Sequence, residues 1–270
     1  MSFTTKRKID QYKERFGPSL VLPSVRVFSS PRAKSFSPPQ QGSLQLWVIA
    51  DEFTGADGSA VTSWPDKSGK NHTLTARSAS GNPTLRYNQI NGKKAVQFVQ
   101  ASKQSFYSTA STLVSAFSGD DVRASWFFVL NDQDSTTNNT HYGLFFGTTA
   151  TFRLKGNNSV SYLLERKDDA GSASNGALGT FGTGWKILTA IFADDLRYSL
   201  YVNGVLIGSS APINVGVLTL TEMVCPGSKQ ADASSLFLEG FVAEVLMYNM
   251  ALSGADLDSV HSYLKSSYGL

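Results

Sequence analysis

Cysteine is almost absent: Cys225 is the only one in 270 residues. No intrachain disulfide can form, so the fold cannot lean on an oxidising compartment. Long apolar runs are missing too. No segment approaches the roughly 18 consecutive apolar residues of a membrane-spanning helix. The polar, basic stretch from Met1 to Arg15 has no apolar run of the kind a secretory signal needs. From these absences we expect a chain made and folded in a reducing cytoplasm, with no membrane partner. His72, His141 and His261 are widely spaced, and with a single cysteine they leave no Cys/His cluster for zinc. The G-x-S-x-G elbow, the P-loop and the H-E-x-x-H helix do not occur. Cys225 precedes Pro226 in a loop and reads as inert.

Charge is also sparse, at 17% of residues, while glycine is plentiful at 23 residues. That balance suits many short strands joined by tight turns. The net charge of +3 hides an asymmetry. Residues 1–42 hold eight basic and two acidic side chains, a net of +6, which leaves −3 for the remainder. A basic arm on a mildly acidic domain suits an acidic partner; a solvated, disordered tail is the other reading.

The arm has its own pattern. Thr5 can cap a short helix on which Ile9, Tyr12 and Phe16 share one face, and Gly17-Pro18 ends it. Two turns with one apolar stripe are too short to stand alone, so the stripe needs a surface to lie on. The strap that follows carries Pro18, Pro23, Pro31, Pro38 and Pro39 and is expected to be extended. The anchoring candidates are Lys6, Arg7, Lys8, Ile9, Tyr12, Arg15, Phe16, Arg26, Arg32 and Lys34.

From Ser43 the pattern changes, and we place a second domain over residues 43–270. Leu44, Leu46, Val48 and Ala50 alternate with Gln45, Trp47, Ile49 and Asp51, giving a first strand. Further strands are expected at 73–76, 95–99, 124–130, 142–146, 151–154, 161–164, 186–192, 196–202, 205–210 and 237–248. Asn203-Gly204 is the clearest hairpin turn. Ser253 starts a closing helix buried through Leu257, Val260 and Leu264 and stopped at Gly269. No helix separates successive strands, so the expected fold is all-β: a two-sheet antiparallel sandwich with a C-terminal helix.

Three blocks resemble the laminin G-like branch of the concanavalin A-like lectin/glucanase superfamily. The first is Leu46-Trp47-Val48-Ile49-Ala50-Asp51 with Val61-Thr62-Ser63-Trp64-Pro65-Asp66-Lys67-Ser68-Gly69-Lys70-Asn71. The second is Asn91-Gly92-Lys93-Lys94-Ala95-Val96-Gln97-Phe98, and the third runs from Phe241 to Asn249 into the final helix. The resemblance implies a jelly roll. It says little of function, because this sandwich hosts lectins, hydrolases, adhesion modules and virion parts. The blocks read first as scaffold: Trp64 wedged between sheets, Asp66, Ser68 and Gly69 in a turn, Glu244 facing the sheet exterior.

Glycoside hydrolases of this fold set paired carboxylates about 5–5.5 Å apart on one strand face when they retain configuration. The nearest approach is Glu165 with Asp168 and Asp169, and Arg166 and Lys167 interrupt it, so the segment reads as a charged loop. We therefore expect no catalytic residues and no enzyme. The loop after residue 130 carries hard oxygen ligands, with Asp132 and Asp134 as calcium candidates, and no other cofactor is expected. The same loop supplies a glycan-rim candidate: Asp132, Asp134, Asn138, His141 and Tyr142. The basic residues of the arm are too sparse for nucleic acid to be the expected partner.

Taken together, these features describe a non-enzymatic bacteriophage structural protein, either a capsid decoration protein or a tail or fibre component. It would assemble in the host cytoplasm, be present in many copies, bind a capsid or tail subunit through the arm, and expose a sandwich that touches cell-surface glycans. The alternative is a carbohydrate-binding lectin module of a bacterial surface or secreted protein.

Overall fold

Alternation of apolar and polar residues gives each strand one face for a core and one for something else. The computed structural model describes residues 36–133, 140–157, 161–179, 182–212, 214, 216–227 and 236–270. The chain divides after Phe36, and the second unit, Ser37–Leu270, is compact. The expected arm helix and the strap up to residue 35 lie outside the described residues.

The second unit is built from strands β1 (Leu44–Ile49), β2 (Ser63–Trp64), β3 (Leu74–Arg77), β4 (Thr84–Ile90), β5 (Lys93–Phe98), β6 (Ser105–Ser108), β7 (Ala124–Asp132), β8 (His141–Phe146), β9 (Thr151–Asn157), β10 (Ser161–Lys167), β11 (Ala173–Gly179), β12 (Gly184–Phe192), β13 (Tyr198–Val202), β14 (Val205–Ser209), β15 (Glu222–Val224) and β16 (Gly240–Tyr248). A short helix α1 (Ser111–Ser115) precedes β7, and α2 (Gly254–Tyr268) ends the chain. Sheet A has the order β14-β13-β12-β7-β16-β5-β4, with β1 also pairing to β16. Sheet B has the order β11-β10-β9-β8-β15-β6-β3-β2. All described pairings are antiparallel. The expected all-β sandwich with its C-terminal helix is therefore present.

Between the sheets, Trp126 of sheet A lies 4.6 Å from the Phe152 ring of sheet B and 5.3 Å from Phe192, centroid to centroid. Trp64 is buried in the core, with Phe106 of the same sheet 5.4 Å away. Asp66 fixes the turn below it by accepting from the backbone N–H groups of Trp47, Ser68 and His72. Asn203 and Gly204 have φ of 49° and 74°, the pair of positive values that a type I′ hairpin needs. Gly240 opens β16 at φ +148°, and a Cβ there would stand 2.0 Å from the Asn131 carbonyl oxygen, so only glycine fits.

Helix α2 covers the outer face of sheet A. Glu244 does face outward from the core, as expected, yet it is fully buried because the helix closes over it. Trp47 Nε1 donates to its carboxylate at 2.7 Å, Tyr263 at 2.9 and 3.1 Å, and Tyr268 at 2.7 Å. Burial raises the Glu244 pKa, and the three donors oppose that shift. The helix also carries His261, whose ring packs against Phe127 and Tyr201 while Thr189 Oγ1 lies 3.1 Å from Nε2. Burial pushes the His261 pKa down to about 4, Lys265 adds to the shift, and Asp258 opposes it. Ser253 sits at the N-cap position without a side-chain cap bond, and Gly269 ends the helix at φ 67°.

Glu244→Leu strands three buried donors and is expected to cost on the order of 3 kcal/mol in urea unfolding, clearly more than Glu244→Gln, which keeps an acceptor. His261 has a folded pKa below its unfolded value, so its contribution to stability is complete above about 6.5 and is lost as pH falls toward about 4. Unfolding midpoints measured between pH 7 and 4 should fall more steeply for the wild type than for His261→Gln.

Candidate functional site

The outer face of sheet B is not covered by α2, and strand register assigns its residues. In one row across the strands lie Tyr107, Val224, Leu144, Arg153 and Glu165. The row on one side holds His141, Lys155 and Leu163; the row on the other holds Glu222, Phe146, Thr151 and Lys167. Their chain neighbours Phe106, Met223, Phe145, Phe152 and Leu164 point the other way, into the core. Local sequence dictates this placement. Thr151-Phe152-Arg153-Leu154-Lys155 alternates polar and apolar residues without a break, so packing Phe152 and Leu154 inward obliges Arg153 and Lys155 to face out.

Two ion pairs organise the face. Arg153 Nη2 lies 2.6 Å from Glu165 Oε1, which also accepts from Thr151 Oγ1 at 3.2 Å. Arg77 pairs with Glu222 and lays its guanidinium over the Tyr107 ring, 4.1 Å from the centroid. On the other side of Arg153, Nη1 is 3.4 Å from His141 Nε2. A guanidinium has only donors, so that ring nitrogen is the acceptor and the imidazole is neutral. Burial pushes the His141 pKa down to about 3, Arg153 and Lys155 add to the shift, and the Gly227 backbone opposes it. Lys155 is lowered by its own burial and by Arg153, while Glu165 raises it.

A bulge between His141 and Gly143 marks where β8 changes direction. A Cβ on Gly143 would meet Phe128 at 3.0 Å. Next to the bulge Tyr142 turns inward and donates to Asp132 Oδ2 at 2.5 Å. Tyr162 packs edge-on to Tyr142 at 5.7 Å, and Lys186, from β12, contacts the Gly182 carbonyl. Burial lowers the Lys186 pKa and Asp132 opposes this; burial raises Tyr162, and Asp132 adds to it.

The glycan-rim expectation therefore needs correction. Asp132, His141 and Tyr142 do come together, but they are 2%, 3% and 1% exposed and offer a sugar no ring face. The bulge turns Tyr142 inward onto Asp132, and Arg153 lies against His141. Asp134 and Asn138 lie outside the described residues, as do the arm candidates Lys6, Arg7, Lys8, Ile9, Tyr12, Arg15, Phe16, Arg26, Arg32 and Lys34. Among the described residues no group of three His, Cys, Asp or Glu side chains is placed to hold a metal ion. Of the calcium candidates, Asp132 is engaged by Tyr142 inside the sandwich. Glu165 is not in a charged loop: β10 extends through Lys167, and only Asp168 and Asp169 fall beyond it. Cys225 is buried, and burial raises its pKa, which keeps it a thiol.

The residues of this face that sequence reasoning missed are Arg77, Tyr107, Phe146, Arg153, Lys155 and Glu222, and Glu165 was read as part of a charged loop. The alternation over residues 151–155 carried the signal for two of them.

No protein-family model and no curated protein sequence matches the chain. Solved structures do. The binding domain of botulinum neurotoxin serotype D is 13% identical with a TM-score of 0.57 over 83% of this chain and 52% of that one. The binding domain of botulinum neurotoxin DC in complex with SialylT is 12% identical, with a TM-score of 0.58 and the same two coverages, 83% and 52%. A structure of botulinum neurotoxin type C, whose cell entry depends on interaction with two ganglioside molecules, is 13% identical with a TM-score of 0.60, again over 83% and 52%. This chain thus spans about half the length of those domains, and what it shares with them is the β-sandwich fold.

Proposed function

We propose that this protein is a non-enzymatic, lectin-like recognition module of concanavalin A-like architecture, and that the outer face of sheet B binds carbohydrate. One observation carries the reading: aromatic rings and pre-paired polar groups stand in register across this face. Tyr107, with Arg77 stacked over it, and Phe146 bring aromatic carbon to this face, against which the C–H face of a pyranose can pack. Arg153–Glu165 and Arg77–Glu222 supply donors and acceptors for hydroxyls. Because each charge is already held by its partner, little side-chain freedom remains to be lost on binding.

The spacing of the acids supports binding over hydrolysis. Glu165 and Glu222 are outward carboxylates separated by three strand steps, from β10 through β9 and β8 to β15, roughly 14 Å at the usual strand spacing. Glycosidases need about 5–5.5 or 6.5–9.5 Å. The toxin binding domains are similar in fold and include one solved with SialylT, which agrees with a glycan role but does not place a site here.

For the full chain, binding to immobilised glycans at physiological salt is expected, with Tyr107→Ala or Phe146→Ala each weakening it about tenfold. Absence of binding to any glycan would sink the reading. The net +6 of residues 1–42 supports a further placement, as a multicopy component of a bacteriophage particle held by its arm to a capsid or tail subunit. A chain lacking residues 1–42 should then fail to copurify with particles, and normal incorporation would contradict the placement.

A further inference from the structure

We infer that one end of the outer face of sheet A, beyond α2, binds a neutral oligosaccharide, stacked on Trp185 and held through the Asn131 and Gln97 amides. This site is separate from the face of sheet B and does not rest on it.

The first observation is register. Phe241 pairs with Gln97 and with Asn131, Asn131 pairs with Trp185, and Gln97 pairs with Thr84. The five therefore form one row across β4, β5, β16, β7 and β12. Their chain neighbours Leu85, Phe98, Val242 and Leu130 point into the core, so the row faces outward. Helix α2 packs farther along the sheet, where His261 meets Phe127, Thr189 and Tyr201. Asn131 is four residues from Phe127, about 13 Å along the strand.

The second observation is what Trp185 does. The chain has four tryptophans. Trp64 and Trp126 lie in the core, and Trp47 donates to Glu244. Trp185 has neither role. It is half-buried and packs against Phe241 at 6.2 Å, with 34° between the ring planes. Its indole N–H, unlike those of Trp64 and Trp126, is not sealed from water. A Cβ on Gly182 or Gly184 would meet nothing within 4 Å, so there is open space beside the ring. Phe241 thus props a large ring in place at the surface, which leaves little freedom to lose on binding.

The third observation is the chemistry of the row. Asn131 and Gln97 are half-buried, and among the described residues neither amide makes a hydrogen bond. Each amide offers two donors and an acceptor oxygen, which suits adjacent hydroxyls. None of the five residues is charged. One ring face beside two amides fits an uncharged, hydroxyl-bearing ring, whose C–H face packs on the indole. From Gln97 to Trp185 is three strand steps, roughly 14 Å, a length that calls for several linked sugars.

The test uses the full chain with isotopically labelled tryptophan, and Trp185→Phe identifies the Trp185 indole N–H signal. Titration with cellohexaose, laminarihexaose and maltohexaose should shift that signal saturably for at least one of them, while the Trp126 signal stays in place. The affinity should not change between about 0.05 and 0.5 M NaCl. Trp185→Ala should weaken the binding about tenfold. Asn131→Ala and Gln97→Ala leave the ring in place and should each weaken it several-fold, with circular dichroism as the check on folding. A Trp185 signal unmoved by all three sugars would overturn the inference, and so would one that responds to decaproline alone. Either result leaves the reading of sheet B standing, because that reading is tested at Tyr107 and Phe146.

Discussion

In the middle of β16, Glu244 turns its carboxylate away from the core, and Trp47, Tyr263 and Tyr268 all donate to it. A carboxylate with no access to water is tolerable only when its lone pairs are met, so the three donors must arrive together. Trp47 comes from β1, and the two tyrosines come from α2. One acid therefore joins the first strand, the long central strand and the terminal helix. With those in place, His261, Leu257, Val260 and Leu264 cover the outer side of sheet A.

That closure gives the sandwich its asymmetry. Each sheet buries one face against the other, through Trp126, Phe152 and their aromatic neighbours. Most of the second face of sheet A lies under a helix. Among the described residues no helix lies over the second face of sheet B, where arginine, lysine, glutamate and half-buried aromatics stand beside Val224, Leu144 and Leu163. Recognition is the use that we propose for that second face.

Much of the fold was legible because short apolar runs bounded by turn residues suit buried strands. Leu44 to Ile49, Ala124 to Leu130, Lys186 to Phe192 and the Asn203-Gly204 hairpin appear where the pattern places them. Five strands escaped for identifiable reasons. β11 reads Ala-Ser-Asn-Gly-Ala-Leu-Gly, a turn composition; β2, β6 and β15 are short; β4 has Arg86, Asn88 and Gln89 breaking its apolar content. The site was less legible. A charged residue beside a core residue looks the same on a solvated strand as on a binding face, and only the register of β8, β9, β10 and β15 shows that Arg153, Glu165, Phe146 and Glu222 share one surface. His141 and Tyr142 stand out in the sequence as polar and aromatic residues near a loop, but a one-residue bulge turns Tyr142 inward and Arg153 lies against His141, so both are buried.

Whether sheet B carries the recognition face proposed for it can be read from backbone amide chemical-shift changes as a glycan that the full chain binds is titrated into the isotopically labelled protein. Saturable changes should concentrate on Tyr107, Phe146, Arg153, Lys155 and Glu165, with α2 and the residues around Glu244 silent. Saturable changes confined to α2 or to the β13–β14 hairpin would contradict a recognition face on sheet B.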